Sequence, residues 1–198
     1  MYTKQGRNIK KHLVLLIMAI TSCLQVFARE NDSIYYSFSQ TDTSYTFYGQ
    51  FRVVAESACV MHICFNYDDI KALALDASGV ELLGEGENWN KIKYNYQQFL
   101  FYKNESLWYR TIDRENSRVD FTLISSKNNR PFMPRMISSS GYYKVSQLNG
   151  MLSVEYFQEC RLTKSYLTAV YQSYAKKKAV EFLHLFRDYS QRHCNNTH

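Results

Sequence analysis

The residues best suited to proton transfer are the histidines, because an imidazole titrates near neutral pH. His62 falls in the first helical stretch, His184 beside the apolar stripe of the last, and His193 and His198 in the C-terminal tail. They are candidates without a constellation, and each is read as a surface or satisfied core residue. Asp68 and Asp69 are adjacent, and neighbours on a helix point in different directions, so they are not an acid and base pair. At the start of a helix they complement its dipole instead. Glu81, Glu85 and Glu87 share one strand face, but nothing nearby completes a metal shell, and a solvated sheet edge accounts for them.

Other patterns are weaker still. Gly79 and Gly84-x-Gly86 lack the strand-to-helix context of a phosphate loop, and Ser139-Ser140-Gly141 lacks the nucleophile elbow. Asn31-Asp32-Ser33, Asn104-Glu105-Ser106 and Asn195-Asn196-Thr197 match the glycosylation sequon, a triplet that often arises by chance. Arg52 and Arg110 sit in strands. Turned inward, either would hold a carboxylate or polar head group; the expectation is that both are solvent-facing rungs of the sheet. No catalytic residue, metal or cofactor is assigned.

Lys4, Arg7, Lys10 and Lys11 precede an abruptly apolar run from Leu13 to Ile20, and Val26-Phe27-Ala28 ends it with small or aliphatic residues at the −3 and −1 positions. That order predicts a signal peptide over residues 1–28, with export to a periplasm or medium. The run is too short for a permanent membrane helix. Ile20-Thr21-Ser22-Cys23 resembles a bacterial lipobox, which leaves open a second route in which Cys23 is acylated. Membrane contact is expected only through that anchor. The four basic residues of the segment account for +4 of the formal +6, leaving about +2, and no basic stripe remains to neutralise phosphates. Lys176-Lys177-Lys178 reads as a solvated helix face, so nucleic acid is not an expected partner.

The remaining cysteines are Cys59, Cys64, Cys160 and Cys194. An oxidising compartment allows disulfides without requiring them. Cys59 and Cys64 are too far apart on a helix to bridge, and neither a CxxC pair nor a His/Cys ligand pattern occurs, so the expectation is four buried free thiols.

Residues 29–44 are polar and lack sustained periodicity, and are read as a loosely docked linker, although Ile34, Tyr35, Tyr36 and Phe38 would suit a short edge strand. From Tyr45, alternation through Phe47, Gly49, Phe51, Val53 and Ala55 predicts the first strand of a domain spanning 45–192. Ser57 is a fair N-cap for two tandem short helices around Asn66-Tyr67-Asp68-Asp69. Strands follow at about 79–88, 91–102, 106–113, 118–126, 138–147 and 151–159, with connections short enough for an antiparallel meander. Thr163 to Gln191 carries Leu167, Val170, Tyr171, Tyr174, Ala175, Phe182, Leu185, Phe186 and Tyr189 at spacings of three and four, a long amphipathic helix. Only the apolar face of the sheet is large enough to cover it. Residues 193–198 are read as a disordered tail.

Strand, helix pair, six-stranded meander and long C-terminal helix together resemble the START-like (SRPBCC) helix-grip superfamily, which includes polyketide cyclases, coenzyme Q-binding proteins and lipid-transfer relatives. Tyr45-x-Phe47-x-Gly49-x-Phe51-x-Val53-x-Ala55-x-Ser57, Tyr67-Asp68, Trp89-x-x-x-x-Tyr94-x-Tyr96, Trp108-Tyr109-Arg110 and Ser140-Gly141-Tyr142-Tyr143 carry the resemblance. It implies an α+β fold in which a curved antiparallel seven-stranded sheet wraps a long helix and leaves a cavity for an apolar or amphipathic molecule such as a lipid, isoprenoid or polyketide. On the inward parity, the expected lining is Phe51, Val53, Tyr94, Tyr96, Tyr109, Phe121 and Leu123, with Tyr171, Tyr174 and Phe182 from the helix. The function expected is an exported, monomeric, non-catalytic binder or carrier of such a ligand. A cyclase or hydrolase using the same cavity, with His62 as its base, and a cell-envelope interaction module with a filled cavity are the alternatives.

Overall fold

The computed structural model describes residues 34–98, 102–130 and 132–195. The readings on the signal segment, Cys23, the Asn31 sequon and His198 lie outside them. Eight strands form one antiparallel sheet in the order β1-β2-β8-β7-β6-β5-β4-β3. They are β1 Tyr35–Gln40, β2 Ser44–Val53, β3 Ala77–Gly86, β4 Trp89–Gln98, β5 Tyr102–Asp113, β6 Arg118–Asn128, β7 Met136–Leu148 and β8 Met151–Leu162. Helices α1 Ser57–Phe65 and α2 Tyr67–Leu73 carry the chain between β2 and the far edge, and α3 Thr168–Asn195 ends the described chain.

The alternation read from Tyr45 onward is β2 itself: Tyr45, Phe47, Phe51 and Val53 are buried, and Thr46, Tyr48, Gln50 and Arg52 are half-buried on the other face. Asn149 and Gly150 both take positive φ, 52° and 78°, the two-residue turn that an Asn-Gly pair favours between β7 and β8.

The sheet has eight strands rather than seven, because the segment read as a linker contains β1. Phe38 stands opposite Phe47 on β2, and its ring stacks on Tyr45 with centroids 5.6 Å apart. At the sheet edge most of its residues stay exposed, so β1 carries no clean alternation to read.

Helix α1 starts at Ser57, with Glu56 in the cap position and no side-chain cap, so the expected Ser57 cap is not formed. Asn66 caps α2, its Oδ1 accepting from the backbone N–H groups of Asp68 and Asp69 at 2.9 and 3.3 Å. Two side chains from the sheet meet the last carbonyls of α1: Arg110 Nη2 donates to Cys64 O, and Asn90 Nδ2 donates to Phe65 O at 2.9 Å. Asn90 and Arg110 are cross-strand partners on β4 and β5, so one rung of the sheet holds the end of α1.

The long helix runs later than its sequence pattern suggests. Thr168 Oγ1 donates to Ser165 O at 2.8 Å, and this turn delays the start. At the other end a disulfide joins Cys194 to Cys59 of α1 across 135 residues, with Cα atoms 5.9 Å apart. The helix continues to Asn195, through the first half of the stretch read as a tail, and two of the four expected free thiols are bridged; Cys64 and Cys160 remain free and buried. The face that α3 turns inward carries most of the expected apolar stripe, including Tyr171, Phe182 and Phe186, but differs from it in three places. Val170 is 65% exposed, whereas Gln172 and Ser190 are buried. Gln172 Nε2 reaches the carbonyls of Thr41 and Ser44 at 2.9 and 3.0 Å, tying the helix to the β1–β2 turn.

Helix α3 packs most closely on β2 and makes no comparable approach to β4 or β5. Its seat is Leu183, 0% exposed, lying where a Cβ on Gly49 would stand. Gly49→Ala therefore overpacks the seat and displaces the buried Leu183 side chain, and urea unfolding should show a loss of about 1–3 kcal/mol. In the chain-entropy account a loop of 135 residues stabilises by about 5 kcal/mol. Replacing Cys59 and Cys194 together by alanine should lower the unfolding free energy by about 2–5 kcal/mol under non-reducing conditions.

Candidate functional site

Because α3 is seated on β2, the opposite half of the sheet stands away from it and a cavity of about 280 Å³ opens between them. Its walls come from four places. Strand β4 supplies Tyr94 and Tyr96, and β5 supplies Asn104, Ser106, Trp108 and Arg110. Phe121, Tyr143 and Tyr156 of the central strands form the floor. Ile63, Cys64, Ile70 and Leu73 of α1 and α2 close one side, and Tyr171, Tyr174, Ala175, Ala179 and Phe182 of α3 close the other. The floor is a packed aromatic cluster, with Tyr143 and Tyr156 centroids 5.2 Å apart and Phe121 5.3 Å from Tyr143.

Of the ten residues expected to line it, Tyr94, Tyr96, Phe121, Tyr171, Tyr174 and Phe182 do. Phe51 and Val53 are instead in the solid core under α3, where Phe51 meets Phe186 edge-on at 5.2 Å. Leu123 faces inward but packs against a separate small cluster around Tyr45, Met136, Cys160 and Leu162. Tyr109 is on the outer face, stacked 6.1 Å from Trp89.

Tyr109 and Arg110 are exchanged relative to expectation, since hydropathy argues for tyrosine inside and arginine outside. Arg110 is 4% exposed and lines the cavity. The signal that would have found it is register. Tyr94 pairs with Ser106, and cross-strand partners share a face, so an inward Tyr94 puts Ser106, Trp108 and Arg110 inward with it. Arg52, as expected, is on the outer face.

Among the described residues Arg110 is the one charge deep in the wall. Its Nη2 serves Cys64 O, its Cζ is 5.9 Å from the Tyr143 ring centroid, and its Nη1 is buried without a hydrogen-bond partner among the described residues. No carboxylate among those residues forms an ion pair with it. An uncompensated buried ion costs on the order of several kcal/mol. Asn104 Oδ1, in the same wall, and Asn90 Oδ1 beside it are also buried without a partner among the described residues.

The phenols around Arg110 stay neutral. Tyr94, Tyr96, Tyr143 and Tyr156 are half-buried or buried by area because they face the cavity, yet burial raises every one of their pKa values above the ordinary phenol range. Burial likewise pushes the Cys64 thiol up to about 12, against the opposing pull of Arg110. At the more exposed rim, Lys178 Nζ is 2.6 Å from Asp76 Oδ2, and Tyr174 OH donates to the same oxygen at 3.0 Å. The hydrogen bond from Lys178 holds the Asp76 carboxyl below the usual range, and burial with the bond to Asp76 pushes Tyr174 up to about 12.

The histidines are elsewhere. His62 is on the outer side of α1, its side chain 63% exposed and 3.8 Å from Asp69 Oδ2; His184 and His193 are exposed on α3. Asp69 is buried and accepts from Tyr189 OH at 2.7 Å, which links α2 to α3. Among the described residues no cluster of His, Cys, Asp or Glu is arranged to hold a metal ion.

No family model and no curated protein matches the sequence. Solved structures do match the fold. A STAR-related lipid transfer protein from Xanthomonas axonopodis aligns at 12% identity and a TM-score of 0.62, covering 79% of this chain and 92% of that one. The Zhui aromatase/cyclase from Streptomyces sp. R1128 aligns at 11% identity and 0.60, covering 81% and 95%. Ara h 8.0201 aligns at 14% and 0.57, covering 74% and 97%.

The chain has the START-like helix-grip fold. The three alignments cover 74–81% of this chain. At such identities the helix-grip likeness concerns architecture, and the chemistry of the cavity rests on this chain's own residues.

The rim contact makes a pH prediction. Asp76 is ionised at lower pH folded than unfolded, so its contribution is present above about pH 4 and is lost as pH falls through its lower folded value. Being largely exposed, the contact contributes under about 1 kcal/mol. Asp76→Asn should leave the unfolding midpoint nearly unchanged while hydrogen exchange at residues 74–76 quickens at pH 7, as it does in the parent protein below pH 4.

Proposed function

We propose that this protein is an exported, non-catalytic binder or carrier of a small hydrophobic or amphipathic molecule held in the cavity between α3 and strands β4 to β6. The observation that carries this reading is the cavity itself: about 280 Å³, walled largely by aromatic and aliphatic side chains, with a minority of polar groups such as Asn104, Ser106, Arg110 and Gln158 among them. Its volume is near the lower end of the roughly 300–1,000 Å³ usual for ligand pockets, which favours one or two rings or a single short chain over a two-chain lipid.

Export is supported by the N-terminal order of basic, apolar and small residues, and by the Cys59–Cys194 disulfide, which suits an oxidising compartment. The non-catalytic part is supported by the state of the wall. Its phenols and thiol are held neutral by burial, its rim carboxylate is paired, and His62 faces solvent. The open interior argues against the module with a filled cavity.

The test is binding of 1-aminoanthracene, a neutral fluorescent probe of suitable size. One molecule should bind per chain with blue-shifted emission. Ala179→Phe, which projects a ring into the cavity from α3, should weaken it at least about tenfold with the circular dichroism spectrum unchanged. Binding that Ala179→Phe leaves intact would place the probe elsewhere and remove the reading. N-terminal sequencing of the exported product should begin at Arg29, or at an acylated Cys23; a product retaining Met1 inside the cell removes the export part.

A further inference from the structure

We infer that the ligand is an acid, a compact amphipathic carboxylate whose head group seats on Arg110 Nη1 while its apolar part lies along the aromatic floor. This deepens the carrier reading and rests on it.

Three observations converge on that head group. Arg110 is a buried cation facing the cavity, one of its terminal nitrogens has no hydrogen-bond partner, and no carboxylate pairs with it among the described residues. Capping the end of α1 does not account for the charge, because the neighbouring carbonyl, Phe65 O, is served by the neutral amide of Asn90. A guanidinium there offers something an amide does not: a second donor, in plane with the first, carrying full positive charge.

The surroundings suit an anion as well. Tyr94 and Tyr143 stand close enough to sense the Arg110 charge, both remain protonated, and neither hydroxyl has a hydrogen-bond partner among the described residues. A carboxylate on Nη1 would have two neutral O–H donors beside it. The other charges of the wall, Asp76 and Lys178, are at the rim and satisfy each other, so they neither compete for the head group nor repel it. An acid of this kind brings the counter-charge that no described residue of the wall supplies, and so its binding and the solvation of Arg110 are one event.

The experiment compares straight-chain carboxylates from hexanoate to dodecanoate with the matching alcohols by isothermal titration calorimetry at pH 8, where the acids are ionised. The best carboxylate should bind about tenfold or more tightly than its alcohol, the scale of a charged hydrogen bond. Arg110→Met should bring the carboxylate down to the level of the alcohol while alcohol affinity stays within about twofold; Arg110→Lys should recover part of the preference. Equal affinities in the parent protein, or a preference that survives Arg110→Met, overturn the inference and leave the apolar carrier reading standing. Failure of both series to bind overturns both. Should Arg110→Met not fold, the parent protein decides. The carboxyl resonance of bound 1-13C-decanoate should titrate below the midpoint of the free acid, and an unchanged or raised midpoint overturns the assignment.

Discussion

The contact on which the rest depends is the seat of α3 on β2. Leu183 occupies the space left by the missing side chain at Gly49, and Phe186 meets Phe51 one turn further along. A straight helix fastened to one side of a bent sheet cannot follow it to the other side, and strands β4 and β5 are left facing a gap. The cavity is therefore a product of where the helix is fastened. The same asymmetry separates inward residues: Phe47, Phe51 and Val53 on β2 are core, whereas Tyr94 and Tyr96 on β4 and Ser106, Trp108 and Arg110 on β5 line the void.

That division is why the architecture was more legible in the sequence than the site. Period-two alternation marks Phe51 and Tyr94 alike as inward, and nothing local says that the first is opposite a helix and the second opposite empty space. The long helix and most of its buried face are legible from the spacing, but Gln172 and Ser190 also belong to that face and read as polar. Gln172 is there for two backbone carbonyls of a distant turn, a partner that hydropathy does not reveal. β1 is only faintly legible, through Ile34, Tyr35, Tyr36 and Phe38, because an edge strand that buries little has no sustained pattern to show. The Cys59–Cys194 pairing needed the three-dimensional proximity of α1 to the end of α3, which no spacing within either helix contains.

Arg110 illustrates how a polar side chain comes to point inward, whatever calls for its full charge. The end of a helix presents carbonyls with no partner of their own and a partial negative charge, and α1 delivers that end onto the concave face of the sheet. The rung formed by Asn90 and Arg110 meets it, so two polar side chains that hydropathy would send to solvent are drawn inward by backbone groups. The polarity of the cavity wall is thus set by how a neighbouring helix terminates, and a shift in the length of α1 by one residue would alter which groups face the void.

The link between Cys59 and Cys194 has a temporal consequence. One partner is near the start of the folded domain and the other in its last described turn of helix, so the bond cannot close until Cys194 has been synthesised. Any ligand taken up before then meets a protein whose closing helix is still untethered. Once the bond is made, nearly the whole domain lies within a single covalent ring, and a cut in any connecting loop between the two cysteines leaves the pieces joined.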